Sequence, residues 1–149
     1  MKFIVDKSYW NLFPDSKLGV LLLKNIQNGE STDEIKSILK EANNEAKKYL
    51  TKEILSENPV IAVWREAYKK FKTKKGVRSS IEALLKRVNS GNPVSSINKF
   101  VDIYNSASLK YGLPCGAEDL DSFVGDLKLT ITQGGDKFIP LGSDEEDNT

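Results

Sequence analysis

The sequence predicts an α+β fold in which short strands at both ends of the chain flank four helices. Apolar residues recur at three- and four-residue spacing through the middle of the chain, which is typical of amphipathic helices. From Leu127 to Thr132 the period changes to two, which is typical of a strand with one buried face. Strands, then helices, then strands favour α+β over the regular alternation of a parallel α/β fold.

Length and composition predict one globular domain over residues 1–142. The 149 residues are 39% hydrophobic and 29% charged, which suits a single core. No apolar run approaches the roughly 20 residues of a membrane helix, and the N-terminus lacks the apolar region of a signal peptide. A single cysteine, Cys115, precludes an internal disulfide. We therefore expect a cytoplasmic protein in a reducing compartment.

The absence of histidine excludes several classes of enzyme chemistry. A Ser-His-Asp triad, a Cys-His dyad and a histidine-ligated zinc ion all need an imidazole. The single cysteine also precludes a cysteine-cluster zinc site. We expect no metal and no cofactor, so any hydrolysis must depend on positioning, on carboxylates or on groups of the substrate.

Strands are predicted near both termini. Lys2 to Val5 and Gly19 to Ile26 have strand character, and Asn28-Gly29 supplies turn residues after the second. Gly134-Gly135-Asp136 predicts a hairpin turn after the strand at Leu127, with Phe138 to Leu141 as its partner. Residues 143–149 are acidic and follow that strand directly, so they are either an acidic tail or a truncation point.

Local signals predict where the four helices begin and end. Ser31 and Ser79 are each followed three residues later by a glutamate, the spacing of a capping box. Pro59 suits the first turn of the second helix. Gly91 is placed to end the third helix. The fourth begins near Ser95 and stops at the Gly112-Leu113-Pro114 sequence.

Charge is distributed unevenly along the chain despite a formal net charge of +1. Residues 65–87 contain nine basic and two acidic side chains, a net charge of +7. Residues 114–149 contain two basic and nine acidic side chains, a net charge of −7. Two interpretations remain open: solvated surface faces, or a basic patch that binds the phosphates of a nucleic acid.

Five stretches resemble, in order, the B3/B4 domain family, whose best-known member is the editing module of the bacterial phenylalanyl-tRNA synthetase beta chain. The stretches are Trp64-Arg65-Glu66-Ala67-Tyr68, residues 78–88, Val101-Asp102-Ile103-Tyr104-Asn105, Leu113-Pro114 with Asp119-Leu120-Asp121, and Gly125-Asp126-Leu127-Lys128-Leu129. The resemblance covers about residues 58–142. It implies a β-sandwich of unusual topology flanked by helices, incomplete at its C-terminal end.

The resemblance also implies a function, the hydrolysis of tyrosine wrongly esterified to phenylalanine tRNA, by a free-standing domain acting in trans. An aminoacyl ester is already reactive, so a catalyst need only position water and stabilise the oxyanion. Two alternatives remain open. The chain is a catalytically inactive module that binds RNA or a small molecule, or it is a truncated domain with at most an interaction role.

The helix after residue 95 carries the first candidate catalytic residues. Asn98, Asp102 and Asn105 are spaced at four and three residues, which predicts a polar stripe able to hold water or a ribose hydroxyl. The resemblance places Asp102 and Asn105 beside the editing pocket, whereas Asn98 is a candidate substrate-binding residue from its spacing alone. The alternative is that these side chains cap a helix or join two helices.

The loop after this helix carries the remaining candidates. The backbone N–H groups of Gly116 and Ala117 are predicted oxyanion donors, since glycine permits close approach. Gly116 stands where the synthetase has a histidine, so the role of that imidazole is absent here or is filled differently. The alternative is that Gly116 only serves the turn. Asp119 is a candidate substrate-binding carboxylate by proximity alone, and bracing of the loop is its alternative. Cys115 is predicted to be structural.

Four side chains are predicted to bind the terminal phosphates of tRNA: Arg65, Tyr68, Arg78 and Arg87. Arg78 immediately precedes a helix N-terminus, where anions are favoured. The alternative is ion pairing of the arginines with Glu82 or Asp119. Transfer RNA is therefore the predicted partner.

Overall fold

The computed structural model describes residues 1–139 and the backbone of Asp147–Asn148. The elements in chain order are β1 (Phe3–Val5), α1 (Lys7–Leu12), α2 (Asp33–Glu45), α3 (Pro59–Tyr68), α4 (Ser80–Asn89), α5 (Lys99–Tyr111), β2 (Leu127–Leu129), β3 (Lys137–Phe138) and β4 (Asp147–Asn148). This mixture of helices and small sheets agrees with the predicted α+β class. No helix in the described part of the chain is long and apolar enough to cross a membrane.

The chain divides into two compact units. The strand unit comprises Met1–Val20, Tyr68–Val77 and Leu120–Thr149, and the helical unit comprises Leu21–Ala67 and Arg78–Asp119. The extent of the predicted domain, residues 1–142, stays a prediction. The tail predicted for residues 143–149 lies outside the described residues, apart from the backbone of β4.

In the strand unit, β1 pairs in parallel with β2, with Ile4 opposite Lys128. Helix α1, which the sequence analysis missed, follows β1 directly. Its N-cap is Asp6, whose side chain accepts a 2.8 Å hydrogen bond from the backbone N–H of Ser8. The Ser8 hydroxyl lies 3.1 Å from that of Thr130, so α1 is tied to the residues that follow β2.

The predicted hairpin is wrong in its pairing. Strand β2 pairs with β1, whereas β3 forms a separate antiparallel pair with β4. The parallel ladder continues in the backbone bonds from Leu127 N to Lys2 O and from Asp6 N to Leu129 O. Of the predicted partner strand, Pro140 and Leu141 lie outside the described residues.

The predicted strand from Gly19 to Ile26 is also wrong, since these residues have no regular secondary structure. Leu21 is 81% exposed and Val20 66% exposed. Strand character needs a neighbouring strand to satisfy its backbone groups, and within the described residues this segment has none.

The helical unit has its core between α2, α3, α4 and α5. The buried apolar residues are Leu39, Ala42, Ala46, Ile61, Ile81, Leu85, Val88, Val94 and Leu109. Apart from Val94, which lies in the loop between α4 and α5, they recur at helical spacing, as the sequence predicted. Burial of such a stripe provides most of a helix's stability. Helix α5 packs against both α2 and α4 and is therefore the centre of this unit.

Two helix ends and one helix start follow the predicted chemistry, whereas two other starts do not. Helix α5 begins at Lys99, after its N-cap Asn98, and not near Ser95 as predicted. Gly91 and Gly112 follow α4 and α5 in the left-handed conformation, with φ of 75° and 67°, as expected of helix-terminating glycines. Ser79 caps α4 as predicted, accepting from Glu82 N. Helix α2 is capped by Thr32 rather than by the predicted Ser31, because the Ser31 hydroxyl donates to Asp102.

Candidate functional site

A buried carboxylate on α4 holds two of the predicted RNA-binding arginines. The side chain of Glu82 is 2% exposed, whereas those of Arg65 and Arg78 are 47% and 46% exposed. Arg65 on α3 donates from Nη2 to Oε1 at 2.6 Å and from Nε to Oε2 at 3.1 Å. Arg78 Nε lies 3.5 Å from Glu82 Oε1. The glutamate thus gathers two cations beside the N-terminus of α4.

The Arg65–Glu82 pair is bidentate, the geometry that fixes a guanidinium most firmly. The hydrogen bonds that Arg65 donates to Glu82 raise the pKa of Arg65 above its ordinary value. A guanidinium has five N–H donors, and this pair uses two of them. The ion pair with Glu82, which was the alternative to RNA binding, is therefore present. It leaves three N–H groups of Arg65 for an anion.

A second buried carboxylate, Asp102 on α5, has a different environment. It is 0% exposed. The hydroxyls of Ser31 and Ser96 each donate to Oδ2 at 2.5 Å, and the backbone N–H of Ile97 donates to Oδ1 at 2.8 Å. Asp102 thus joins the residue before α2, the loop after α4 and the start of α5. This is the structural alternative named in the sequence analysis.

The pKa of Asp102 reflects these contacts. Burial alone would raise it, because a charged group loses its hydration. The hydrogen bonds from Ser31, Ser96 and Ile97 N outweigh burial and, with the charge of Lys36, lower the pKa below its ordinary value. The carboxylate is therefore ionised at neutral pH, but its oxygens are committed to protein donors rather than directed to a substrate.

The predicted polar stripe on α5 is divided by the fold. Asn98 is the N-cap of α5, and its side chain accepts from Val101 N at 3.0 Å. Asp102 is buried, whereas Asn105 is half-buried on the helix. The predicted functional roles of all three residues stay predictions.

The predicted oxyanion loop is open in the structure. Gly116 and Ala117 are exposed, and a Cβ added at Gly116 would meet no atom within 4 Å. Within the described residues, no other part of the protein therefore packs closely against the backbone of Gly116. Asp119 is exposed in the same segment. Burial raises the pKa of the Cys115 thiol, which disfavours the nucleophilic thiolate.

The remaining RNA-binding candidates lie at the far ends of their helices. Tyr68 ends α3, belongs to the strand unit and packs edge-on against Phe71 at 5.7 Å between ring centroids. Arg87 is exposed in the last turn of α4, together with Lys86. Arg65 and Arg78 are thus the predicted pair that the structure brings together.

Sequence reasoning missed a groove beside α2 with a volume of about 390 Å³. Its lining residues are Lys36, Leu39, Lys40, Asn43, Asn44, Pro93, Val94 and Ser96. The paired lysines at i and i+4 were a usable signal, but the residues were assigned only to a solvated helix face. The described residues contain no group of three or more His, Cys, Asp or Glu side chains that could hold a metal ion.

The family model of the B3/4 domain matches residues 63–149, which is more than half of the chain. The chain belongs to the B3/4 domain family, and this is the domain found in the beta subunit of phenylalanyl-tRNA synthetase. No curated protein and no solved structure matches the chain.

Proposed function

We propose that this B3/4 domain binds tRNA and that the arginines gathered at Glu82 contact its phosphates. Membership of the B3/4 family supports an RNA-related role. The observation that carries the proposal is the half-exposed Arg65–Glu82–Arg78 cluster, in which a buried glutamate fixes two guanidinium groups at the protein surface. Preorganised arginines lose less side-chain freedom when they bind a phosphate.

Further basic side chains extend the proposed contact within the helical unit. Lys86 and Arg87 lie exposed in the last turn of α4. Clustered cations supply affinity that does not depend on base sequence and that falls as salt concentration rises. A cytoplasmic location and the β-sandwich implied by the family resemblance belong to the same proposal.

The binding proposal is tested with fluorescently labelled tRNA(Phe) in an anisotropy titration. The logarithm of the association constant should fall linearly with the logarithm of salt concentration between about 50 and 200 mM. Arg87→Gln should lower the absolute slope by about 1, the loss of one phosphate contact. Lys47→Gln, which removes an exposed charge elsewhere in the helical unit, is the matched control. An affinity independent of salt would contradict phosphate binding.

Editing is a further proposal, that the domain hydrolyses tyrosyl-tRNA(Phe) in trans, with Asn105 and the backbone of Gly116 and Ala117 at the ester. The fourth predicted catalytic residue, Asp102, is left out of this proposal because it is buried. Hydrolysis of an activated ester needs positioning more than a strong base, so the lack of histidine does not oppose it. The test follows ester loss from tyrosyl-tRNA(Phe) with and without the protein. Equal rates of ester loss with and without the protein would contradict the editing proposal but not the tRNA-binding proposal.

The alternative is a catalytically inactive binding module, and two observations favour it. Asp102 has its carboxylate engaged by Ser31, Ser96 and Ile97. Gly116, in the place of the synthetase histidine, is exposed and has open space around it. Retained tRNA affinity with no acceleration of ester loss is the expected result for this alternative.

A further inference from the structure

The groove beside α2 has apolar walls, and the side chain of one asparagine is hydrogen-bonded to the backbone of both. Leu39 and Val94 on its walls are 3% and 8% exposed and belong to the core. Asn43 accepts from Val94 N at 2.8 Å and donates from Nδ2 to Val94 O at 3.1 Å and to Leu39 O at 2.9 Å. The side-chain amide of Asn43 thus bonds both backbone groups of Val94, as a neighbouring strand would. The wall formed by residues 93–96 is therefore fixed before any ligand binds.

Few polar groups of the groove remain available for a ligand. Both N–H donors of Asn43 are used, and its oxygen already accepts from Val94. The Ser96 hydroxyl donates to Asp102. The remaining polar side chains are Lys36, Lys40 and Asn44, all exposed on α2. An incoming molecule therefore meets Pro93, which is exposed, and the small exposed parts of Leu39 and Val94, bordered by two cations.

Two carboxylates oppose these cations only in part. Asp33 Oδ1 lies 4.0 Å from Lys36 Nζ, and both side chains are more than half exposed, so water screens this pair strongly. Asp102 lies behind Ser96, where three neutral hydrogen-bond donors stabilise its charge, and that charge also interacts with Lys36. Lys40 has no ion-pair partner within the described residues.

We propose that this groove binds a small organic anion, an acid with a compact apolar body, with Lys36 and Lys40 at the acidic group and Leu39, Pro93 and Val94 against the body. The volume of about 390 Å³ lies at the lower end of the roughly 300–1,000 Å³ typical of small-molecule sites. The acid is a carboxylate or a phosphate monoester, since a pair of lysines attracts both.

The test titrates ¹⁵N-labelled protein with phenyl phosphate and with phenylacetate, and follows amide shifts by NMR. We expect dissociation constants of the order of 1–10 mM, as befits ligands of about ten heavy atoms. The shifts should centre on Val94, Ser96 and the side-chain amides of Asn43 and Asn44. The tighter ligand identifies the acid class. Benzyl alcohol and inorganic phosphate, which each lack one half of the recognised chemistry, should bind at least about fivefold more weakly.

Matched charge variants separate this groove from general attraction of anions. Lys36→Gln with Lys40→Gln should weaken phenyl phosphate binding about five- to tenfold, because two exposed ion contacts are lost. Lys47→Gln with Lys48→Gln removes the same charge next to α2 but outside the groove, and should change the affinity less than twofold. Asp33→Asn should strengthen binding slightly, since it removes the carboxylate beside Lys36.

Three results would overturn the proposal. The first is an equal loss of affinity in the two double-lysine variants. The second is benzyl alcohol binding as tightly as phenyl phosphate. The third is a set of shifts centred away from residues 93–96. Circular dichroism of each variant establishes that the helices are retained, so a lost affinity reports on the groove itself.

Discussion

The two buried carboxylates of the helical unit differ in the kind of hydrogen-bond donor that stabilises their charge. Glu82 is paired with arginines whose side chains remain about half exposed. Asp102 is surrounded by two serine hydroxyls and one backbone N–H. A carboxylate bound by cations at the surface orients charge toward solvent, whereas one bound by neutral donors holds the chain together. The Glu82 cluster is therefore a candidate for ligand binding, whereas the Asp102 cluster has the contacts of a structural element. The sequence analysis had named residues of both clusters as site candidates.

The largest expected effect is at Asp102. Asp102→Ala would leave the Ser31 hydroxyl, the Ser96 hydroxyl and the Ile97 N–H without their acceptor. A buried donor without a partner costs about 1–3 kcal/mol. Ser31 is buried, whereas Ser96 and Ile97 are exposed residues whose donors can bind water instead, so we expect the free energy of unfolding to fall by about 2–3 kcal/mol. Urea denaturation followed by circular dichroism measures it. Ser31→Ala, which removes one donor only, should cost about 1 kcal/mol, and an equally small loss in Asp102→Ala would contradict the structural role.

The next effect distinguishes two left-handed glycines. A Cβ at Gly112 would lie 2.8 Å from Val60 Cγ2 and 3.0 Å from Tyr49 Cζ, whereas a Cβ at Gly91 would meet nothing within 4 Å. Both alanine variants carry backbone strain of about 1–2 kcal/mol, and overpacking adds about 1–3 kcal/mol at Gly112 alone. Thermal melts should therefore place Gly112→Ala clearly below Gly91→Ala. Equal melting temperatures would argue against the close packing at Gly112.

A smaller loss of stability is expected when the Arg65–Glu82 ion pair is broken. Arg65→Ala removes the bidentate partner of a carboxylate that is 2% exposed, but Arg78 remains at 3.5 Å. Because the arginines are partly hydrated, we expect a loss of only about 1–2 kcal/mol. A double-mutant cycle of Arg65→Ala and Glu82→Gln, followed by urea denaturation, isolates the coupling. A coupling energy near zero would mean that Glu82 does not hold Arg65 in place.

The smallest effect is a pH dependence that belongs to Asp102. Its pKa in the folded protein is lowered, so the unfolded chain binds the proton more readily. The stabilisation is complete above the ordinary pKa of about 3.9 and is lost as pH falls through the folded value. Asp102→Asn should therefore be destabilising at pH 7, with a difference from wild type that narrows below about pH 4. A constant difference across this range would contradict the assignment.

The sequence predicted the helices of this protein better than its strands, for a physical reason. Capping and periodicity are local, and so Pro59, Ser79, Gly91 and Gly112 marked helix ends correctly. Pairing of β1 with β2 joins residues more than 120 positions apart, and no local pattern distinguishes it from the predicted hairpin.

The candidate site was predicted only in part, because several of its side chains contact residues that are far away in the sequence. Arg65 and Arg78 were nominated together, and Glu82 was named as their alternative partner. The bonds of Asp102 to Ser31 and of Asn43 to Val94 span 71 and 51 residues, so neither the displaced cap of α2 nor the groove could be derived from spacing. The local signal for α1, Asp6 before Ser8, was present but unused.

The most direct test compares tRNA binding by Arg65→Gln with Arg78→Gln against binding by Asp102→Asn, at a temperature where both variants are folded. We predict that the arginine variant lowers the absolute salt slope of tRNA affinity by about 2, one for each phosphate contact, and that Asp102→Asn retains the wild-type slope. An unchanged slope in the arginine variant, or an equal decrease in Asp102→Asn, would contradict the assignment of RNA binding to the Glu82 cluster.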